Sequence, residues 1–147
     1  MKYESRSAAE TKKIAKLFAE ELLKTKIGRG AFVVIFKGDL GAGKTTFIQG
    51  LMKGLGIKGK IMSPTFTLLR SYKVRNENFS KVHHFDCYRI NEAEEIKELK
   101  FKELIKDPQN IILIEWPERI KELLPRKKVT VTLDYGETLN ERILEIT

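Results

Sequence analysis

Residues 38–45, GDLGAGKT, carry the clearest chemical signature in this chain because they fit the pattern G-x-x-x-x-G-K-[ST]. The glycines in this segment permit positive φ angles and leave backbone amides open to a closely approaching anion. Lys44 can bring a mobile positive charge to terminal phosphates, and the Thr45 hydroxyl can bind Mg²⁺. The segment therefore predicts a loop that binds a magnesium-associated polyphosphate.

The sequence on either side predicts the strand and the helix that such a loop requires. The apolar run at 31–36 indicates a buried strand. After the loop, apolar residues recur at helical spacing from Phe47 to Leu55. A helix that opens near Lys44 directs the positive end of its dipole at the loop. This strand–turn–helix context distinguishes the segment from an ordinary glycine-rich turn.

Two acidic residues that end predicted strands are candidate catalytic and metal-binding groups. Asp86 ends the run at 82–85, and Glu115 ends the run at 111–114. Ligands of parallel α/β sheets bind at the carboxyl ends of the strands, and a P-loop enzyme needs a carboxylate near Mg²⁺. Either residue can fill this role, so we expect both at the site.

Two further residues are candidates by position. Thr65 comes after the predicted helix, where a threonine can sense a terminal phosphate through Mg²⁺. Trp116, the only tryptophan, directly follows the second acid. A place at the site and a packed indole with its N–H satisfied explain Trp116 equally well.

The histidines and the cysteine give weaker signals. His83 and His84 have no surrounding set of Cys and His, so a packed or surface role is favoured over metal binding. Only one of them can face a given site, because neighbouring strand residues point to opposite faces. Cys87 is expected to be a buried thiol without chemistry.

Composition limits the class of protein. The 147 residues predict one domain over 1–147, and a hydrophobic fraction of 41% with 33% charged residues is typical of a globular protein. No apolar run approaches the roughly 20 residues of a membrane span, so no membrane partner is expected. A single cysteine favours a reducing, cytoplasmic location. The net charge of +8 favours an anionic partner such as RNA, although no recognised nucleic-acid motif is present and DNA is not expected.

The pattern of elements predicts an α/β fold. A helix begins after Ser7, with Glu10 completing a capping box, and stops near the glycines at 28–30. Later segments predict strands at 65–72, 81–86 and 111–114, a helix capped by Asn91, a short helix at 118–123, and a hairpin of 129–133 with 143–146. We expect a three-layer, P-loop NTPase-like domain whose mixed sheet is parallel at the P-loop strand and antiparallel towards its edges.

With these segments in place, the chain resembles the TsaE family, the small bacterial P-loop ATPases of threonylcarbamoyladenosine formation in tRNA. The matching blocks are GDLGAGKTT at 38–46, SPTFT at 63–67, HFDCYR at 84–89 and IEWPE at 114–118. The resemblance implies the cofactors ATP and Mg²⁺. It also implies action with a TsaD-like synthase and its TsaB-like companion, with any contact to tRNA indirect. ATP binding would drive assembly, and hydrolysis would reset the complex.

The resemblance also implies roles for particular residues. Lys44 and Thr65 would join Asp86 and Glu115 in catalysis, and Thr45, Glu115 and Asp86 would serve the metal. Thr11 would lie near the adenine, Trp116 near the nucleotide, and Arg142 matches a late family arginine whose role stays open. The phosphates would be held by the consecutive residues Gly41, Ala42, Gly43, Lys44, Thr45 and Thr46.

Other classes of nucleotide-binding protein are alternatives to a partner-stimulated ATPase. A small P-loop kinase uses the same loop but usually needs an arginine-rich lid, and no long insertion is present here. A GTP-binding switch reads guanine with an Asn-Lys-x-Asp segment, which the sequence lacks. A nucleotide-dependent scaffold without turnover would differ in releasing no phosphate. No arginine finger can be assigned, so we expect slow hydrolysis by the isolated protein.

Overall fold

A seven-stranded mixed sheet forms the centre of the computed structural model, which describes residues 1–26, 28–61, 68–97 and 99–147. The strand order is β1-β7-β6-β2-β5-β4-β3. The strands are β1 (Lys2–Ser5), β2 (Phe32–Lys37), β3 (Leu69–Lys73), β4 (Lys81–Asp86), β5 (Asn110–Glu115), β6 (Val129–Tyr135) and β7 (Arg142–Ile146).

The sheet is parallel at its centre and antiparallel at its edges, as predicted. Strand β2 pairs in parallel with β5 and β6, and β4 pairs in parallel with β5. Strands β3, β7 and β1 join as antiparallel partners. In this register Phe36, Glu115 and Asp86 are adjacent, so β2, β5 and β4 end side by side.

Helices cover both faces of the sheet, which confirms the three-layer α/β architecture. Helix α1 (Ala8–Leu23) packs on α2 (Lys44–Gly54), and both cover one face. The other face is covered by α3 (Glu94–Lys97), α4 (Phe101–Lys106) and a 3-10 helix (Pro117–Leu123). Alternate β2 residues supply the two cores: Val34 and Phe36 face α1 and α2, and Val33 and Ile35 face the other layer.

The first helix begins as predicted and ends earlier. The Ser7 hydroxyl accepts the Glu10 N–H at 3.1 Å, and the Glu10 carboxylate accepts the Arg6 N–H at 2.7 Å, one residue before the one a capping box would use. The helix ends at Leu23, not near 28–30. Its last turn is closed locally, because the Thr25 hydroxyl bonds the Glu21 carbonyl at 3.3 Å.

Two other elements differ from the prediction. Strand β1 was not predicted, because its four residues gain their backbone partners only from β7, at the other end of the chain. The helix expected after Asn91 is the single turn α3, which begins at Glu94. The strand predicted at 65–72 corresponds to β3, which runs from Leu69 to Lys73. Positions 65–67 of the prediction lie outside the described residues. Within the described residues, no helix combines the length and apolarity needed to cross a membrane.

Candidate functional site

The loop between β2 and α2 has the backbone that its glycines predict. Gly38, Gly41 and Gly43 all have positive φ, at 147°, 79° and 104°. A Cβ atom on Gly38 would lie 2.5 Å from the Leu133 carbonyl oxygen, so this position also needs glycine for close packing on β6. The loop is thus shaped both by its own conformational freedom and by the neighbouring strand.

Lys44, the first residue of α2, folds back across the loop. Its Nζ donates to the carbonyl oxygens of Gly38 and, at 3.4 Å, of Asp39. The same ammonium lies 4.0 Å from the centroid of the Trp116 ring. Burial lowers the pKa of Lys44 from its usual value of 10.5, against the opposing effect of the nearby Glu115 carboxylate. The Lys44 ammonium is therefore a buried cation close to an acid.

The two predicted carboxylates lie side by side at the ends of β4 and β5. Asp86 and Glu115 are register partners and are only 7% and 6% exposed. They are held differently: Asp86 Oδ1 accepts the backbone N–H of Tyr88 at 3.1 Å, whereas Glu115 Oε2 lies 2.8 Å from His84 Nε2. Buried carboxylates with fixed orientations at strand ends are suited to act on a metal-bound substrate.

A cavity of about 380 Å³ unites most of the predicted site residues. It opens at the start of α2, where free backbone N–H groups favour an anion. The lining consists of Asp39, Leu40, Gly41, Gly43, Lys44, Thr45, Thr46, Asp86, Tyr88, Glu115 and Trp116.

Trp116 lines this cavity. Its backbone is left-handed, with a φ of 56°, at the start of the 3-10 helix. Its ring packs on Tyr88, with centroids 5.0 Å apart, as well as on Lys44. The ring therefore forms one wall of the site.

Arg142 and Tyr135 support the loop from outside the cavity. They are register partners on β7 and β6, and the Arg142 guanidinium lies 4.6 Å from the centre of the Tyr135 ring. The Tyr135 hydroxyl donates to the Leu40 carbonyl at 2.8 Å, and Arg142 Nη2 donates to the Gly41 carbonyl at 3.3 Å. The predicted Arg142 thus contacts the P-loop backbone, and Tyr135 is a site residue that the sequence interpretation missed.

Besides Arg142, two predicted residues are not among the described residues that line the cavity. Thr11 is 1% exposed, and its hydroxyl lies 2.7 Å from that of Ser5. Ala42 is buried, and its N–H donates to the Asp39 carbonyl at 3.1 Å. Thr65 lies outside the described residues. Their roles toward a nucleotide stay predictions.

The oxygen donors at the cavity fit Mg²⁺ held together with a polyphosphate. Thr45, Asp86 and Glu115 offer a hydroxyl and two carboxylates, the hard ligands that Mg²⁺ prefers. In the described part of the chain, no group of three or more His, Cys, Asp and Glu could hold a metal ion. Magnesium usually takes one or two carboxylates and completes its shell with phosphates and water, so this donor set suits a substrate-borne ion.

A model of one protein family covers almost the whole chain. The model described as "Threonylcarbamoyl adenosine biosynthesis protein TsaE" matches residues 5–143. The chain belongs to the TsaE family. This places it in a family of tRNA threonylcarbamoyladenosine biosynthesis.

Individual relatives agree with this assignment. A tRNA threonylcarbamoyladenosine biosynthesis protein TsaE from Rickettsia typhi is 44% identical over 141 residues, covering 95% of this chain and 90% of the relative. The TsaE protein of Bacillus subtilis is 35% identical over 133 residues, covering 90% and 77%. The crystal structure of Bacillus subtilis YdiB matches with a TM-score of 0.71 and 30% identity, covering 98% of this chain and 82% of that one.

The structure of this TsaE-family protein agrees with the packed role expected of its histidines and shows which of them meets the site. Both are buried, as a packed role implies. His83 bonds Ser71 at 2.7 Å and faces Asn110 at 3.3 Å, away from the site, whereas His84 contacts Glu115 directly. The alternation of a strand predicted that only one could face a site, but the strand register was needed to show that it is His84.

Proposed function

We propose that this TsaE-family protein binds ATP with Mg²⁺ and hydrolyses it slowly on its own, in support of threonylcarbamoylation of adenosine in tRNA. One observation carries the proposal: a glycine-rich anion loop, Lys44, Thr45 and two buried strand-end carboxylates meet around one cavity. This combination of charges suits a triphosphate and an associated cation. The triphosphate would compensate the charge of the lysine, and the cation would compensate the charges of the two acids.

The loop and Lys44 would bind the phosphates. The Lys44 ammonium now rests on the carbonyl of Gly38, and phosphate oxygens offer it a charged acceptor in place of a neutral one. The start of α2 adds free amides and the dipole. The Trp116 ring beside Lys44 keeps water from one side of the ammonium and so strengthens its attraction for phosphate.

The polar side chains divide the remaining work. The Thr45 hydroxyl and the Glu115 carboxylate would hold Mg²⁺, which when bound neutralises charge on the phosphates. Asp86, the register partner of Glu115, would accept a hydrogen bond from the attacking water and orient it. Thr65 would belong to the same site, as the family resemblance implies.

We expect slow turnover because the described lining of the cavity contains so few cations. No arginine is among the described residues of the lining, so the charge that develops in the transition state has only Lys44 from this set. Arg142 directs its guanidinium at backbone carbonyls instead. A partner that supplies or positions another cation would therefore accelerate hydrolysis.

The rim of the cavity supports the proposal that TsaD-like and TsaB-like proteins are the partners. Leu40, Tyr135 and Leu139 are 65%, 48% and 85% exposed beside the P-loop. Apolar side chains next to a nucleotide site offer a surface on which partner binding can depend on ATP. Contact with tRNA would then be indirect, and the single cysteine is in keeping with a cytoplasmic location.

Calorimetry with ATP·Mg²⁺ and a phosphate-release assay test this function together. The wild-type protein should bind ATP more tightly than GTP and release phosphate slowly. Glu115→Gln should reduce Mg²⁺-dependent release at least tenfold while ATP affinity falls less. Glu122→Gln, a change at an exposed acid of the 3-10 helix that follows, should leave both unchanged.

Other outcomes would replace the proposal. No binding heat with ATP·Mg²⁺ at millimolar concentration would refute a nucleotide site. Binding without phosphate release, even with partner proteins present, would identify a scaffold. Rapid phosphate transfer to a small acceptor would identify a kinase, and preference for GTP would identify a GTP-dependent switch.

A further inference from the structure

A buried histidine lies directly behind one of the site carboxylates. His84 Nε2 is 2.8 Å from Glu115 Oε2, and the two side chains are 3% and 8% exposed. Glu115 lines the cavity and His84 does not. We infer that His84 is a positioning residue: its Nε2–H holds one carboxylate oxygen of Glu115 and leaves the other for the metal. This inference rests on the proposed function.

The sheet holds this pair in place. His84 is the register partner of Leu113 on the neighbouring parallel strand, and Glu115 lies two residues further along on the same face. All six residues of β5 are buried, and β4 is buried from Val82 to Asp86. The pairing of β4 and β5 fixes both backbones with the ring and the carboxylate facing each other, so the ring sets the direction of the carboxylate.

The unused ring nitrogen indicates which tautomer is present. His84 Nδ1 is buried and has no hydrogen-bond partner in the described structure. A neutral imidazole carries one N–H donor, and an ionised carboxylate only accepts. A buried N–H without a partner is rarer than an unfilled acceptor, so the proton belongs on Nε2, facing Glu115.

Arg70 is a further donor on the face of the sheet that carries His84. It is the antiparallel partner of His84 on β3, so the two side chains lie on the same face of the sheet. Arg70 Nε, which can only donate, is also buried without a partner. Because neither atom has a hydrogen-bond partner, Arg70 Nε does not bond His84 Nδ1, and the assignment of the proton rests on the contact with Glu115.

The expected effect is on metal affinity and not on phosphate binding. Lys44 and the loop amides can bind phosphate without Glu115, because they belong to β2–α2 and not to the β4–β5 pair. Loss of the group that orients a metal-binding carboxylate typically costs about 10- to 100-fold in metal affinity or activity. His84→Phe keeps the shape of a ring and removes its nitrogens, while His84→Gln keeps an amide donor close to the position of Nε2.

Two measurements test the inference. In the first, long-range proton–nitrogen NMR of the ligand-free wild-type protein should show His84 protonated at Nε2 and bare at Nδ1. There are only two histidines, so His83→Gln assigns the signals. A proton fixed on Nδ1, or rapid exchange between tautomers, would overturn the inference whether or not the protein binds ATP.

In the second, calorimetry compares ATP binding by the His84 variants with and without Mg²⁺. His84→Phe should lower the affinity for Mg²⁺ in the ATP complex about tenfold or more, leave binding in EDTA within about twofold, and be largely rescued in His84→Gln. Wild-type Mg²⁺ dependence in His84→Phe, or an equal loss in EDTA, would refute positioning. Failure of the wild-type protein to bind ATP·Mg²⁺ would refute the proposed function instead, and the NMR result would still decide the role of His84.

Discussion

Replacement of Lys44 by methionine separates a functional cation from a structural one. Methionine keeps the length and apolar stem of the side chain and removes the charge that lies on the Gly38 carbonyl and 4.0 Å from the Trp116 ring centroid. A hydrogen bond from a charged group contributes about 1.5–3 kcal/mol, so loss of one phosphate contact should weaken ATP binding about 10- to 150-fold.

The same change should affect folding less. Lys44 is only 7% exposed, and this burial lowers its pKa, so methionine removes an unfavourable burial of charge. Against this, the Gly38 carbonyl loses a charged donor, which costs about 1.5–3 kcal/mol, and the removal of the buried charge offsets part of that cost. The free energy of unfolding should therefore change by less than about 3 kcal/mol.

Intrinsic fluorescence provides the assay, because Trp116 is the only tryptophan and its ring contacts Lys44. ATP is titrated at saturating Mg²⁺, and urea unfolding is measured on the same samples. Lys53→Met, at an exposed position in the last turn of α2, is the matched control and should behave as wild type in both. The reasoning would be refuted if the affinity of Lys44→Met for ATP stayed within about threefold of wild type. It would also be refuted if the free energy of unfolding fell by more than about 3 kcal/mol.

Three further predictions test the packing of α2 on α1, the support of the P-loop by Tyr135, and the titration of the buried His83. Gly50→Ala should lower the free energy of unfolding by about 1–3 kcal/mol, because its Cβ would lie 2.6 Å from backbone atoms of α1; Gln49→Ala is the control, and a urea midpoint at or above wild type for Gly50→Ala would contradict the packing. Tyr135→Phe should weaken ATP binding about fivefold through loss of the bond to the Leu40 carbonyl, with turnover at saturating ATP unchanged; unaltered affinity would show that this bond does not support the loop. Burial lowers the pKa of His83 below 6.5, so the unfolded chain binds its proton first and stability should fall as pH drops from 7.5 to 5.5; urea midpoints of wild type and His83→Gln that depend equally on pH would exclude His83 as the cause.

The P-loop could be predicted because its chemistry is local. The glycines, the lysine and the threonine all stand within the eight residues 38–45. Their spacing along the chain therefore determines which backbone the loop adopts and which groups surround it. The strand end at Glu115 could be predicted for a related reason: a buried central strand reads as a continuous apolar run, and the polar residue after the run marks the edge of the sheet. The signal for Asp86 is weaker, because His83 and His84 interrupt the run of β4.

The contacts that support the site could not be predicted, because they depend on register between distant segments. Tyr135 bonds the carbonyl of Leu40 from 95 positions away, and His84 reaches Glu115 across 31. A shift of one residue in the pairing of β4 and β5 would turn His84 to the opposite face of the sheet. Strand β1 was missed for the same reason, since its hydrogen-bond partners lie at the other end of the chain.

By itself, then, the amino-acid sequence determined the anion-binding loop, the two strand-end acids, the mixed α/β layers and, through four short blocks, the family. The tertiary structure alone decided that Trp116 forms a wall of the cavity, that Arg142 and Tyr135 hold the loop from outside, and that His84 orients towards Glu115. The physical reason is range: backbone conformation and apolar patterning are properties of neighbours along the chain, whereas the direction of a side chain at a site depends on which strand lies beside it.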